Sequence, residues 1–262
     1  MRWARLALPA LAALSAPTRA EAAGFPDDRD RALPCRPTIA CTAELTTPGT
    51  FEVEAGYNYQ RTSTGATLRS SPFLLKLTFA TWGQLQVGSN GYVAAQGDLP
   101  ARFLDNVTLG LKFLLFGQRG ARPALALSGA LSVPTWEGQA GYTRLVDALF
   151  SAYASKDVGP IHADLNVGLN LFRLEGRPLS QEFVALALSA DLVSPFGVMA
   201  EGYVFSGAES ASARDGGFLF ALSHAPRRWL MFDVGGNVGF FPAERAYSVF
   251  VGLTVVPAVL WR

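Results

Sequence analysis

Charge is scarce in this sequence. Only 16% of its 262 residues are Asp, Glu, Lys or Arg, and the formal net charge is +1, whereas ordinary soluble domains carry about 25% charged residues. The chain has no run of Lys and Arg, so it lacks the basic surface that nucleic-acid binding requires. That function class is excluded. The surface also has fewer charges than a fully water-facing surface of this size would carry.

Long apolar runs are absent as well once the first 22 residues are set aside. A membrane-spanning helix needs about 18 or more consecutive apolar residues, and no later stretch supplies them. The N-terminus has a different character, because Arg2 and Arg5 precede the apolar run LALPALAALSA, and Ala20-Glu21-Ala22 fits the A-x-A cleavage pattern. We therefore predict a signal peptide over residues 1 to 22 and export through the inner membrane.

Cysteine occurs only twice, as Cys35 and Cys41 in the stretch PCRPTIAC. Because export leads to an oxidising compartment, we predict a disulfide between them. No third Cys or nearby His accompanies them, which disfavours a metal site, and no cofactor is implied. Residues 23 to 49 show no strand or helix pattern. We interpret them as a periplasmic lead-in rather than a domain.

From residue 50 onward the sequence alternates between apolar and polar residues with period two. Gly, Pro and polar clusters divide the alternation into about twelve candidate strands. They lie at about 50–62, 70–80, 83–93, 105–116, 123–133, 147–156, 161–173, 182–192, 197–206, 216–224, 229–240 and 246–256. Short connections after even-numbered strands alternate with longer ones, such as 94–104, 134–146 and 207–215, after odd-numbered strands. This organisation predicts an all-β, transmembrane, antiparallel up-and-down β-barrel over residues 50 to 262, with both termini on the periplasmic side.

The two faces of the strands distinguish this barrel from a soluble sandwich. Strand 161–173 sets Ile161, Ala163, Leu165, Val167, Leu169 and Leu171 against His162, Asp164, Asn166, Gly168 and Asn170. In a sandwich the second face would be an exterior rich in Lys, Glu and Arg. Here it consists of small and amide side chains with few charges, as in a barrel interior, and closure removes the strand edges that hydrocarbon cannot satisfy. The apolar face is predicted to contact the lipid of the bacterial outer membrane.

The polar face supplies the candidate residues of the lumen. They are Glu52, Glu54, Asn58, Lys76, Gln84, Gln86, Lys112, His162, Asp164, Asn166, Asn170, Glu201, Asp233 and Asn237. Lys112 is expected to pair with an inward carboxylate, because an unpaired buried charge is costly. The excess of acidic groups disfavours a pore for acidic sugars, which would need a ladder of Arg and Lys. Inward Gly and Ala leave room for either a narrow channel or a plugged lumen, and both stay open.

Two blocks of sequence resemble a known family. The block GLKFLLFGQRGARPALALSGALSVPT, residues 110 to 135, and the block HADLNVGLN, residues 162 to 170, resemble the outer-membrane family labelled putative MetA-pathway of phenol degradation. The matching features are Gly110 to Lys112, Pro134 with Thr135, and Asn166 with Gly168, whereas Trp136 stands where the family more often has Gly. The resemblance implies a barrel of about twelve strands that passes small hydrophobic or aromatic compounds.

Two other classes compete with a channel or transporter. An outer-membrane lipid hydrolase would need a Ser within hydrogen-bond reach of an imidazole base. Only His162 and His224 supply imidazoles, and the sequence spacing does not identify a partner Ser for either of them. We therefore predict no catalytic residues and no enzyme. A closed structural or scaffold barrel is the remaining alternative. The expected partners are membrane lipid and a small solute, and the oligomeric state stays open.

Overall fold

A closed sheet of twelve strands makes up most of the described chain. The structure is a computed structural model that describes residues 30–62, 65–96, 101–133, 135, 147–174, 177–206, 215–240 and 247–261. The strands are β1 (Thr50–Arg61), β2 (Thr67–Ala80), β3 (Gly83–Ala95), β4 (Val107–Phe116), β5 (Ala124–Val133), β6 (Asp147–Val158), β7 (Ile161–Leu174), β8 (Arg177–Val193), β9 (Phe196–Phe205), β10 (Asp215–Arg227), β11 (Leu230–Gly239) and β12 (Tyr247–Val259). Each strand pairs antiparallel with its neighbours in sequence, and β1 pairs with β12. The predicted up-and-down barrel is confirmed.

The predicted signal peptide, residues 1 to 22, lies outside the described residues. Among the residues that are described, no helix has the length and apolar character needed to cross a bilayer.

The two ends of the barrel differ in their connections. We call the end where β1 begins and β12 ends the terminal mouth, and the opposite end the far mouth. Two-residue turns at 81–82, 159–160, 194–195 and 228–229 lie at the terminal mouth. The predicted long loop between β7 and β8 is wrong, since Leu174 pairs with Arg177 and Arg173 with Pro178. The ladder thus continues through residues that had been assigned to a loop, and β8 begins at Arg177 rather than at 182.

The outer surface of the barrel is apolar along the middle of the strands. Leu109, Leu127 and Leu165 are 54%, 46% and 42% exposed, and many other Leu, Val and Phe side chains on the same face are exposed as well. Soluble monomers rarely expose contiguous apolar patches beyond a few hundred Å². The outer face therefore matches the lipid-facing band of a transmembrane barrel.

A charge placed on this band is expected to destabilise the barrel. Replacing Leu109, Leu127 or Leu165 with Arg should each lower the free energy of unfolding by about 2 to 4 kcal/mol, because a guanidinium near mid-bilayer is poorly solvated. Urea titration in lipid vesicles would measure this. Asn170→Arg, on the lumen face of the same strand as Leu165, is the control and should cost much less; equal losses for Leu165→Arg and Asn170→Arg would contradict the facing.

The lumen contains the chain segment that precedes β1. Residues 30 to 49, which we call the inserted segment, begin at the terminal mouth, where the amide of Ala32 donates to the carbonyl of Arg228 at 2.8 Å. They return there, because the amide of Thr47 donates to Asp30 at 2.6 Å and that of Gly49 to the carbonyl of Thr78 at 2.7 Å. The sequence interpretation of this stretch as a periplasmic lead-in is therefore corrected: its described part fills the barrel half next to the terminal mouth.

Candidate functional site

A disulfide-closed loop crosses the lumen. Cys35 and Cys41 are bonded, as predicted. The amide of Cys35 donates to both carboxylate oxygens of Glu54 on β1, at 3.0 and 3.1 Å. On β7, Asn166 bonds Cys41 twice when its amide is oriented to satisfy both groups: its nitrogen donates to the carbonyl at 2.9 Å, and its oxygen accepts from the amide at 2.7 Å. Because β1 and β7 lie on opposite sides of a twelve-strand ring, the loop spans the interior.

Two further strands, β9 and β4, also bond the inserted segment. On β9, Glu201 accepts from the amides of Ile39 at 2.9 Å and Ala40 at 2.5 Å. On β4, the ammonium of Lys112 donates to the carbonyl of Thr42. These contacts supply the hydrogen-bond partners that a segment without secondary structure needs when it is buried. They also correct the expectation that Lys112 pairs with a carboxylate, because the carbonyl of Thr42 takes that place.

A buried charge cluster lies beneath the loop. The ammonium of Lys76 is 2.7 Å from Glu52 and 2.6 Å from Glu54, and it donates to the carbonyl of Leu33 at 2.6 Å. These three acceptors match the three donors of a lysine ammonium. Glu52 and Glu54 are fully buried and Lys76 is 2% exposed. The cluster therefore joins β1, β2 and the inserted segment in one network that water does not reach.

A chain of hydrogen bonds connects His162 with the inserted segment. The amide of Ala43 donates to the hydroxyl of Ser155 at 2.6 Å, and that hydroxyl donates to Asp164 at 2.5 Å. His162 bridges Asp164 at 3.0 Å and Asp157 at 2.7 Å through its two ring nitrogens. Ser155 therefore bonds a carboxylate rather than an imidazole, which is not the nucleophile–base pairing that acyl transfer requires. Within the described ranges, no cluster of three or more His, Cys, Asp or Glu side chains is placed to hold a metal ion.

Two adjacent glycines make room for an arginine and an aspartate. Gly56 on β1 pairs with Gly252 on β12. A Cβ at Gly56 would collide with the guanidinium of Arg36, and one at Gly252 with the carboxylate of Asp233. Neither carboxylate oxygen of Asp233 has a hydrogen-bond partner among the described residues. Because neither glycine has a side chain, the lumen wall there leaves space for the side chains of Arg36 and Asp233.

A niche of about 150 Å³ opens beyond the tip of the loop, toward the far mouth. Its lining combines apolar and polar side chains, namely Arg36, Pro37, Ile39, Asn58, Pro72, Tyr203, Leu219, Asn237, Ser248 and Phe250. Asn237 donates to the hydroxyl of Tyr203 at 2.7 Å. The amide oxygen of Asn237 is buried and has no partner in the described part of the chain. The niche therefore combines an apolar wall with the hydrogen-bonded pair of Asn237 and Tyr203.

The structure separates the predicted lumen residues into groups. Those that touch the inserted segment directly are Glu52, Glu54, Lys76, Lys112, Asn166 and Glu201. His162 and Asp164 act through Ser155, Asn58 and Asn237 line the niche, and Asp233 lies beside Arg36. Gln84 donates to Thr78 at 3.0 Å and accepts from Gln86 at 2.9 Å, so it is linked to the segment through the bond between Thr78 and Thr46. Asn170 donates to Gln181 at 3.5 Å, on the neighbouring strand.

Three inward side chains that bond the inserted segment or line the niche were not predicted from the sequence. Ser155 holds Ala43, Thr78 bonds the hydroxyl of Thr46 at 2.7 Å, and Tyr203 bonds Asn237. Ser, Thr and Tyr are common on either face of a strand, so residue type did not single them out. Their cross-strand neighbours did carry a signal, since Ser155 pairs with the predicted lumen residue Asp164.

Solved structures of outer-membrane channels share this fold. The COG4313 outer membrane channel from Pseudomonas putida F1 has a TM-score of 0.59 and 12% identity, covering 81% of this chain and 97% of its own. The NanC porin has a TM-score of 0.56 and 7% identity, covering 78% and 98%. The KdgM porin has a TM-score of 0.50 and 10% identity, covering 78% and 98%. No protein-family model matches the sequence, and a search of curated proteins gave no match. The chain therefore has the closed-barrel fold of outer-membrane channels. Because the sequence identities are low, the similarity concerns the fold and not the function.

Proposed function

We propose that this protein is an outer-membrane channel for small hydrophobic or aromatic solutes, closed at rest by the inserted segment. The observation that carries the proposal is a sealed barrel with an apolar exterior and an interior occupied by a polar, hydrogen-bonded loop. The predicted signal peptide and the fold support export to the outer membrane. The proposed site residues are the predicted lumen residues, acting either on the loop or on the niche.

The niche supports the solute class. Ile39, Leu219 and Phe250 give it an apolar wall, and Asn237 and Tyr203 give it polar groups. Its volume of about 150 Å³ is similar to that of an apolar cavity known to hold benzene, about 150 Å³. A single aromatic ring with one polar substituent suits that volume and the polar pair of Asn237 and Tyr203. The family resemblance implies the same class of compound.

The nature of the contacts supports a removable closure. The buried apolar side chains of the inserted segment are small, namely Ala32, Ala40, Cys41 and Ala43. Most of the other anchors are hydrogen bonds, many of them to the charged side chains of Glu54, Glu201 and Lys112. Such a bond contributes a net of about 1.5 to 3 kcal/mol when water is the alternative partner. A water-filled lumen could therefore replace them. The second candidate, a closed structural barrel, is favoured by the buried charge cluster, because withdrawal of the segment would remove the partners that Leu33 and Cys35 give to Lys76 and Glu54.

Planar-bilayer recording with competing solutes tests the proposal. The purified protein should show brief openings, and phenol and toluene should reduce the ionic current, whereas a charged sugar should not. Leu219→Trp, which fills the niche, should remove the effect of phenol and toluene, and Leu127→Trp on the outer face is the matched control. A protein that never conducts and is not stabilised by any of these solutes would favour the structural barrel.

A further inference from the structure

An apolar groove of about 720 Å³ lies on the outer face of the barrel, across β9 to β12 and β1. Phe196, Leu222, Phe232, Leu253 and Tyr57 form much of its lining, and His224 lies among them. Pockets that hold a specific small ligand have volumes of about 300 to 1,000 Å³. The groove is thus large enough for a defined occupant on a surface that faces lipid.

The strand register explains the groove. One cross-strand row contains Phe196, His224, Phe232, Leu253 and Ala55, each paired with the next. Ala55 has the smallest side chain of the row, so the surface is lower there. At the other end of the row the rings of Phe196 and His224 pack with their centroids 4.7 Å apart. The row therefore runs from an aromatic–imidazole pair near the terminal mouth to a depression over β1.

Two arginines follow the groove residue His224 in sequence, at the terminal mouth. Arg227 and Arg228 lie at the β10–β11 turn, three and four residues after His224, and both are exposed. Between His224 and Phe232 the sequence contains no Asp or Glu. The Nδ1 atom of His224 is buried without a hydrogen-bond partner among the described residues. The β10–β11 turn thus places two arginines after the apolar row, at the end of the barrel where a bilayer has its headgroups.

We infer that this groove binds one phospholipid of the periplasmic leaflet. An acyl chain lies along Leu222, Phe232 and Leu253, and the phosphate is held by Arg227 and Arg228. Guanidinium groups bind phosphate oxygens through charge-assisted, frequently bidentate hydrogen bonds, and basic pockets beside membrane segments hold anionic headgroups in the same way. His224 lies between the two parts, at the depth of the ester groups. The inference rests on the proposed outer-membrane location and is independent of what passes through the lumen.

Native mass spectrometry of the detergent-purified protein, titrated with dioleoyl phosphatidylglycerol, tests the inference. We expect one phospholipid to stay bound after washing. The Arg227→Glu/Arg228→Glu double variant should retain it at least about tenfold less well, because it loses the charge-assisted contacts of two arginines. The groove-filling Leu222→Trp variant should also retain it less well, because the indole occupies the place of the acyl chain. Dioleoylglycerol, which lacks the phosphate, should not be retained by the wild type.

Matched variants make the test specific. Arg119→Glu changes an exposed arginine at the β4–β5 connection of the same mouth, and Leu127→Trp enlarges a lipid-facing leucine away from the groove; both should retain the lipid as the wild type does. Equal loss in these controls, equal retention of dioleoylglycerol, or no bound lipid in the wild type would overturn the inference. Liposome flotation of each variant measures membrane insertion separately, so failure of the proposed location is distinguished from failure of the lipid site.

Discussion

Replacing Lys76 with Met is expected to lower the free energy of unfolding by about 3 to 5 kcal/mol, the cost of removing one partner from a buried ion pair. Met has a similar length and no charge, so the substitution changes electrostatics more than packing. It leaves Glu52 and Glu54 without the cation that lies 2.7 and 2.6 Å from them. It also leaves the carbonyl of Leu33 without its donor. Urea titration in detergent, followed by tryptophan fluorescence, would measure the loss.

Two further variants separate the buried cluster from lysine removal in general. Lys156→Met removes a partly exposed lysine whose described contact is the carbonyl of Gly120, and we expect less than about 1 kcal/mol there, as for other exposed polar contacts. Adding Glu52→Gln and Glu54→Gln to Lys76→Met should recover much of the stability, because no unpaired charge then remains buried. Wild-type stability for Lys76→Met alone would mean that the cluster is not buried in the folded protein.

Removing residues 24 to 47 is expected to raise the single-channel conductance several-fold. Eight-strand barrels are filled by their own side chains, and sixteen-strand barrels leave an aqueous channel; a barrel of twelve strands without its inserted segment should leave a narrow aqueous path. Glu54, Lys112 and Glu201 would then be solvated in an open lumen, so the barrel itself should still fold. The amide of Gly49, which bonds Thr78 at 2.7 Å, remains to fix the start of β1. Planar-bilayer recording would show the difference.

Deletion of residues 24 to 29 alone is the control, since this shorter variant keeps every described contact of the inserted segment. It should conduct as the full-length mature protein does. If the longer deletion leaves the conductance unchanged, the inserted segment is not what closes the lumen. If both deletions open the channel equally, the closure depends on residues before Asp30.

Much of the barrel was predictable from sequence because period-two alternation determines both the strands and their facing. In β7 the alternation placed Asn166 inside and Leu165 outside, and the two are 1% and 42% exposed. The predicted strand bounds left residues 174–181 as a loop, yet the β7–β8 ladder continues to Leu174 and Arg177. Backbone pairing outweighed local turn propensity there, as long-range context commonly does.

The position of the inserted segment was not predictable in the same way. Its residues have no periodicity, and its anchors are far away in sequence: Cys35 and Glu54 are 19 residues apart, and Ile39 and Glu201 are 162 apart. The sequence therefore revealed the polar inward side chains but not their partner. From sequence, Glu52 and Glu54 could be interpreted as solvated carboxylates at a strand end, whereas the structure shows both fully buried beneath the inserted segment.

The inserted segment starts and finishes at the terminal mouth, and this has a topological consequence. Over residues 30 to 49 the chain is not threaded through the cylinder, because it enters and leaves the lumen at the same opening. The β1–β12 seam can close before the loop goes in, and the loop can be withdrawn and returned as one tethered unit while every strand pair stays intact.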